Sequence, residues 1–247
     1  MLKKMAALLL SLLLLVSLSA CNQNRREEET SAVPSSGAEF PSQSMPDSAQ
    51  EADAGQPGTE EELAAIESNS ILVAYFSWAD NAVVEDDVDA VTSPSVIAPG
   101  NVDQLASWVQ EETGGDLFSI QVAEPYSSDW DECLERANEE RSQNARPALT
   151  AAVENMEGYD VVFLGYPNWW YGSPMALLSF IEENDLAGKQ IYLFCSHGTG
   201  GLAGSVEDIK DVLPDSASLS DSVFDVYEED APSAQDDILN WLSELGY

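Results

Sequence analysis

Positive charge is what this chain has least of. Nine lysines and arginines stand against 45 aspartates and glutamates in 247 residues, a formal net charge of −36. Between residues 67 and 247 there are 35 acids and 5 bases, a balance of −30. Gripping a phosphate backbone needs positive surface, so this balance excludes a nucleic-acid partner. Two readings of the charge stand side by side: solubility in the surrounding medium, or docking against a partner with a basic face. Histidine is scarcer still, with His197 alone. The three cysteines, Cys21, Cys133 and Cys195, form no C-x-x-C and no Cys/His metal spacing. Cys195 ends an apolar run and reads as a small buried residue. The acid run 85–89 lacks the glycine and the distal glutamate of an EF-hand loop, so a solvated acidic loop is expected there.

A membrane-spanning length of apolar residues is also missing. Ala6 to Leu18 is apolar but shorter than the roughly 20 residues a spanning helix needs. Lys3 and Lys4 before it, and Leu18-Ser19-Ala20-Cys21 after it, give the layout of a secretion signal over 1–20. The junction resembles a lipobox, in which Cys21 receives lipid and becomes the new N-terminus; the alternative is an ordinary signal peptide with an incidental cysteine. Buried lipid CH2 groups contribute about 0.8 kcal/mol each, so several chains on Cys21 would anchor the protein firmly to a membrane outside the cytoplasm. Residues 21–66 are rich in Ser, Pro, Glu, Gln, Ala and Gly and poor in large apolar side chains. Such a stretch buries too little surface to offset ordering entropy, and it reads as a disordered tether. Leu63 and Ile66 are candidates for the first ordered turn.

Residues 67–247 are enough for one domain with a substantial core. They alternate strand and helix patterns. Ile71–Phe76, Leu117–Val122, Val161–Leu164, Ile191–Cys195 and a weaker segment within Ala217–Val226 read as strands. Helical spacing covers Asp103–Glu112, Trp130–Arg141, Pro174–Glu183, Leu202–Leu213 and Gln235–Leu245, with a second short helix expected over Ala148–Asn155. Continuous apolar strands between helices imply an α/β three-layer sandwich around a five-stranded parallel sheet, in the order 2-1-3-4-5. Ligands in such sheets sit at the carboxyl ends of the strands, near the switch between strands one and three.

The loops at that end are unusual. After strand one come Ser77 and Trp78, then a long segment to Pro99, and Gly100-Asn101-Val102 running into a helix. A helix start offers unpaired N–H groups to a phosphate, and Ser77 adds a hydroxyl. Equally, Gly100-Asn101 makes a turn and caps the helix. After strand three, Pro167-Asn168-Trp169-Trp170-Tyr171-Gly172 puts three aromatics on one loop. Rings there would cover a flat ligand well; the plainer alternative is that they pack inward, and one of the three is expected to do so. After strand four, Ser196-His197-Gly198-Thr199-Gly200-Gly201 is a pliable turn with exposed N–H groups. No serine and acid at convincing spacing accompany His197, which reads as a contact residue or a spectator. No residue is assigned a catalytic or metal-binding role. A single ligand with a phosphate and a flat ring would occupy all three loops.

These blocks resemble the flavodoxin family, in particular short bacterial flavodoxin-like proteins. Tyr75-Phe76-Ser77 and Gly100-Asn101-Val102 resemble the two halves of a YFSxTGNT phosphate loop, separated by an insertion over about 79–98. Gly165 to Gly172 is similar to a G-x-P-x-W-W loop beside the flavin ring. Leu177–Lys189 and Ser196–Gly204 resemble the segments that follow. The resemblance implies a flavodoxin-like fold and FMN as cofactor, bound by the loop residues named above. Val102 departs from it, standing where a threonine hydroxyl would help hold phosphate; the lost bond is worth about 1.5–3 kcal/mol.

Three functions follow as expectations. The first is electron transfer by an FMN-binding lipoprotein outside the cytoplasm, with a protein redox partner and a low reduction potential set by the negative charge. The second is an FMN-dependent oxidoreductase acting on a quinone or other small molecule. The third is a binding module that has lost FMN.

Overall fold

The computed structural model describes residues 70–83 and 94–247. The expected signal segment, lipobox cysteine, tether, first turn at Leu63 and Ile66, and the acid run 85–89 lie outside these residues. Among the described residues, no helix is long and apolar enough to cross a membrane.

The main sheet has five strands, all parallel. Its strands are β1 (Ile71–Tyr75), β3 (Asp116–Ser119), β5 (Val161–Pro167), β6 (Gln190–His197) and β7 (Ser218–Tyr227). They lie in the order β3-β1-β5-β6-β7, which is 2-1-3-4-5 when only these five are counted. β1 lies inside the sheet between β3 and β5 and is buried along its whole length, which its unbroken apolar run requires. Its residues alternate between two cores. Ile71, Val73 and Tyr75 face one layer with Phe163, Phe194 and Phe224. That layer is built by α2 (Asn101–Thr113) through Val102, Leu105, Ala106 and Val109, and by α6 (Gln235–Leu245) through Ile238, Trp241 and Leu242. Leu72, Ala74 and Phe76 face the other layer with Val162, Leu164 and Tyr166. There α3 (Trp130–Ser142), α4 (Met175–Glu183) and α5 (Ser205–Val212) close the sandwich. Gly165 is needed in β5 because a Cβ would overlap the Phe194 ring on β6.

Local signals explain the helix ends. The Asp129 side chain accepts the Glu132 N–H at the start of α3, so an N-cap begins that helix. Gly114 ends α2 at φ 68, a left-handed cap that favours glycine.

Two expectations are corrected. Strand two stops at Ser119 rather than Val122. A short helix after β1, α1 (Trp78–Asn81), brings the Asn81 amide to that point. Asn81 Nδ2 donates to Ile120 O (2.9 Å), and Asn81 Oδ1 accepts the Val122 N–H (2.8 Å). A side chain thus takes over the hydrogen bonds a neighbouring strand would make. The expected helix over Ala148–Asn155 is absent. Its backbone bonds sideways instead: Ala123 N–H donates to Ala148 O, Thr150 N–H donates to Gln121 O, and Val122 bridges Leu149. The expected loop after β1 also contains β2 (Ala82–Val83), which pairs in parallel with β4 (Tyr126–Ser127) as a separate small ribbon.

Candidate functional site

The carboxyl ends of β1, β5, β6 and β7 surround an open cleft of about 850 Å³, its mouth included. Ser77, Trp78, Asn101, Val102, Pro167, Asn168, Trp169, Trp170, Tyr171, Ser196, His197, Gly198, Thr199, Gly200 and Gly201 line it. These are the residues singled out from the sequence, less Gly100 and Gly172, which lie buried behind the lining. Ser95, Trp130 and Glu228 also line the cleft and were not expected.

One end is built from buried polar groups. Gly100 precedes α2 and packs so tightly on Ser77 that a Cβ would overlap the Ser77 Oγ. Asn101 Nδ2 donates to Glu228 O (2.9 Å) and to Ser196 Oγ (3.3 Å). One buried amide thereby ties the start of α2 to the ends of β6 and β7. Val102, 2% exposed, belongs to the core as well as to the cleft. The five cations of the 67–247 region are elsewhere. Arg136 pairs with Glu140, Arg141 with Asp208, Arg146 with Glu182 and Lys210 with Glu207. Lys189 is buried and donates to the carbonyls of Met156 and Tyr159. An anion at this end would meet N–H and O–H donors at the start of a helix rather than a formal positive charge. The Asp103 carboxyl in the first turn of α2 is pushed up by burial and by Asp80 beside it.

The other end is aromatic. Trp169 turns inward, with edge contacts to Tyr126 (5.1 Å), Phe76 (5.2 Å) and Trp78 (6.2 Å between centroids). Trp170 and Tyr171 remain 45% and 63% exposed. They are the central pair of a tight turn in which Trp169 N–H donates to Gly172 O (2.9 Å) and Gly172 N–H donates to Trp169 O (3.0 Å). Both have positive φ, 53° and 62°. Such a turn ordinarily takes Asn and Gly, because a bulky residue at positive φ is strained.

The glycine turn after β6 joins the two ends. The Tyr171 ring lies against Gly200, and Asn168 Nδ2 donates to Gly201 O. Asn168 Oδ1 is buried with no partner, an acceptor awaiting a donor. His197 has both ring nitrogens engaged, Nε2 with Asp225 Oδ2 (2.9 Å) and Nδ1 with Gly198 O (2.8 Å). Both partners are acceptors, and the two contacts hold the ring between its own turn and β7. Cys133 and Cys195 are buried and unpaired with each other. Burial pushes the Cys133 thiol up to about 12 and raises the Cys195 thiol as well, so burial favours the thiol over the thiolate in both. Among the described residues no cluster of His, Cys, Asp or Glu could hold a metal ion.

A family model described as Flavodoxin matches residues 90–245, a span that begins beyond β1 and Ser77. Flavodoxin 1 of Salmonella typhimurium is 24% identical over 99 residues, covering 38% of this chain and 42% of that protein's length. A candidate flavoprotein from Bacteroides uniformis shares the fold, with a TM-score of 0.54 and 22% identity over 71% of this chain and 99% of its own. A flavoprotein from Lactobacillus acidophilus, solved in complex with FMN, is 16% identical with a TM-score of 0.47, covering 69% of this chain and 99% of its own.

Proposed function

This chain belongs to the flavodoxin family, and on that footing we propose that it binds FMN and carries electrons at a membrane surface outside the cytoplasm. The observation that carries the reading is the convergence of the loops after β1, β5 and β6 into one cleft with two unlike ends. The start of α2, with Ser77 and Asn101, suits the phosphate because it offers hydrogen-bond donors at a helix N-terminus. Trp169, Trp170 and Tyr171 suit the flat ring by burial and stacking. The unpartnered Asn168 Oδ1 suits a ring N–H. When bound, FMN supplies the redox chemistry; the protein binds it, orients it and sets the charge around it. With a balance of −30 over 67–247, added negative charge on the ring is disfavoured, so a low reduction potential is expected. The same charge suits a redox partner with a basic docking face.

The location rests on the sequence alone: the lysine start, the short apolar run and Cys21 after Ala20 support lipid attachment and export. Mass spectrometry of the protein recovered from membranes tests it. An unmodified Cys21 in the mature chain would remove the anchor from the proposal.

FMN binding is tested by the absorption spectrum of the purified protein before and after added FMN. A bound, quenched flavin at near one per chain is expected. Protein that stays colourless favours the third reading, a binding module, for which the buried valine at 102 speaks.

One observation favours a small-molecule reductase as the second reading. A mostly apolar groove lined by Trp78, Trp130, Cys133, Leu134, Trp169 and Trp170 adjoins the cleft, sharing Trp78, Trp130, Trp169 and Trp170 with it, and such an aromatic wall suits a flat apolar substrate such as a quinone. Steady-state turnover of a quinone with NADH or NADPH discriminates the two. Rapid turnover makes the protein an enzyme; its absence leaves electron transfer.

A further inference from the structure

The aromatic turn is held from behind by an ion pair outside the cleft lining. Arg141, near the end of α3, meets Asp208 of α5 in a two-pronged contact, Nη1 to Oδ2 at 2.7 Å and Nη2 to Oδ1 at 3.2 Å. Asp208 Oδ2 also accepts the N–H of Ser173, the residue just past the turn, at 3.1 Å. Gly172 packs directly on this pair. A Cβ there would overlap Nη1 and Cζ of Arg141 and Oδ2 of Asp208. The glycine is therefore required for close approach, not for an unusual φ. On the far side of the turn, Tyr171 O accepts the N–H of Gly204, which immediately precedes α5. One short helix thus grips the turn on both sides, through Gly204 at Tyr171 and through Asp208 at Ser173.

The turn needs holding. Trp170 and Tyr171 sit at positive φ with large side chains, a conformation costing of order 1–3 kcal/mol per residue. Left alone, the segment would relax, and the exposed rings would lose their place on the cleft wall. An isolated ion pair at 34% and 25% side-chain exposure contributes little to stability as charge alone. Its geometry is what matters: a planar fork locks the carboxylate so that its remaining lone pair meets a backbone N–H.

We propose that Arg141 and Asp208 are positioning residues that hold Trp170 and Tyr171 against the flavin ring. The proposal rests on the FMN reading for its consequence but not for its mechanics. The test uses Asp208→Asn and Arg141→Lys in the full chain, with three readouts: amide hydrogen exchange at Gly172 in FMN-free protein, the absorption band of bound FMN, and affinity for FMN. In Asp208→Asn, Gly172 exchange is expected to accelerate about tenfold, FMN affinity to fall about tenfold, and the bound band to shift toward that of free flavin. Arg141→Lys keeps the charge but loses the fork, so its effect should fall between native and Asp208→Asn. Unchanged exchange and an unchanged band overturn the proposal. So does a lower melting temperature with neither of these moved, which would make the pair a staple between α3 and α5 and nothing else. Native protein that fails to bind FMN counts against the FMN reading alone, because the exchange measurement judges the clamp without a ligand.

Discussion

The two ends of the cleft are built on opposite principles. At the α2 end, Ser77, Asn101, Val102 and Ser196 are 1%, 6%, 2% and 4% exposed. Their positions are fixed by the core and by a buried amide that spans three elements. At the aromatic end, Trp170 and Tyr171 stand in solvent on a strained turn and depend on a contact behind them. The first end carries its geometry into any state in which the sheet is folded. The second can shift without unfolding anything. Affinity for the phosphate should therefore be a property of the fold, and the environment of the ring a property of one turn.

The largest effect should come from breaking the rigid end. Gly100→Ala places a methyl on the Ser77 hydroxyl and must displace it. FMN affinity is expected to fall about a hundredfold, while riboflavin, which lacks the phosphate, changes little. Fluorescence quenching titrations of both ligands measure this; an equal loss for both would show that the ends are not separable. Next, Trp170→Ala strips the exposed ring from the other wall. A loss of about 2 kcal/mol, roughly thirtyfold, is expected for FMN and riboflavin alike. A loss confined to FMN would move Trp170 from the ring end to the phosphate end. Sharpening the contrast rather than breaking it, Val102→Thr restores a hydroxyl at the start of α2. A gain of about tenfold for FMN and none for riboflavin is expected. A lowered melting temperature without any gain would assign that side chain wholly to the core.

The same contrast explains what the sequence could reveal. Ile71–Tyr75 was legible because its apolar run is unbroken, as a strand covered on both faces requires, and Gln235–Leu245 because its burial is periodic, on a single stripe. The loops after β1, β5 and β6 were legible because glycines and clustered tryptophans are unusual on local grounds. Which ring of Trp169, Trp170 and Tyr171 turns inward was not legible, since a closed turn has no fixed alternation and the Trp169–Gly172 bond pair decides it. Trp130 and Glu228 reach the cleft from an adjoining helix and from the end of β7, with no motif of their own. Arg141 and Asp208 lie 67 residues apart, and no spacing rule joins them. Asn81 ended strand two by a side-chain bond that resembles, in sequence, any short polar turn. Local chemistry was readable; partnerships made by the fold were not.

The smallest effect lies in Glu228, which sits half-buried on the rigid side of the cleft. Its carboxyl is held above the ordinary 4.5 by burial first and by Glu229 second, with His197 pulling partly the other way. A raised carboxyl keeps its proton in the fold after the unfolded chain has released it. Stability therefore declines as pH climbs from about 4.5 toward the folded value, and the deficit persists above it. Glu228→Gln removes the ionisation and with it the decline. Melting temperatures of native and variant should coincide near pH 4 and separate by a few degrees at about pH 7, the variant being higher. Because Asn101 donates to the Glu228 carbonyl, the charge lies beside the proposed phosphate end. FMN affinity of the variant should accordingly exceed that of the native protein by a few-fold at about pH 7, with a smaller difference in acid. Melting curves that run parallel across this range would mean that Glu228 is solvated on the rim, and Asp103 in the first turn of α2 would then be the ionisable group that tunes the rigid end.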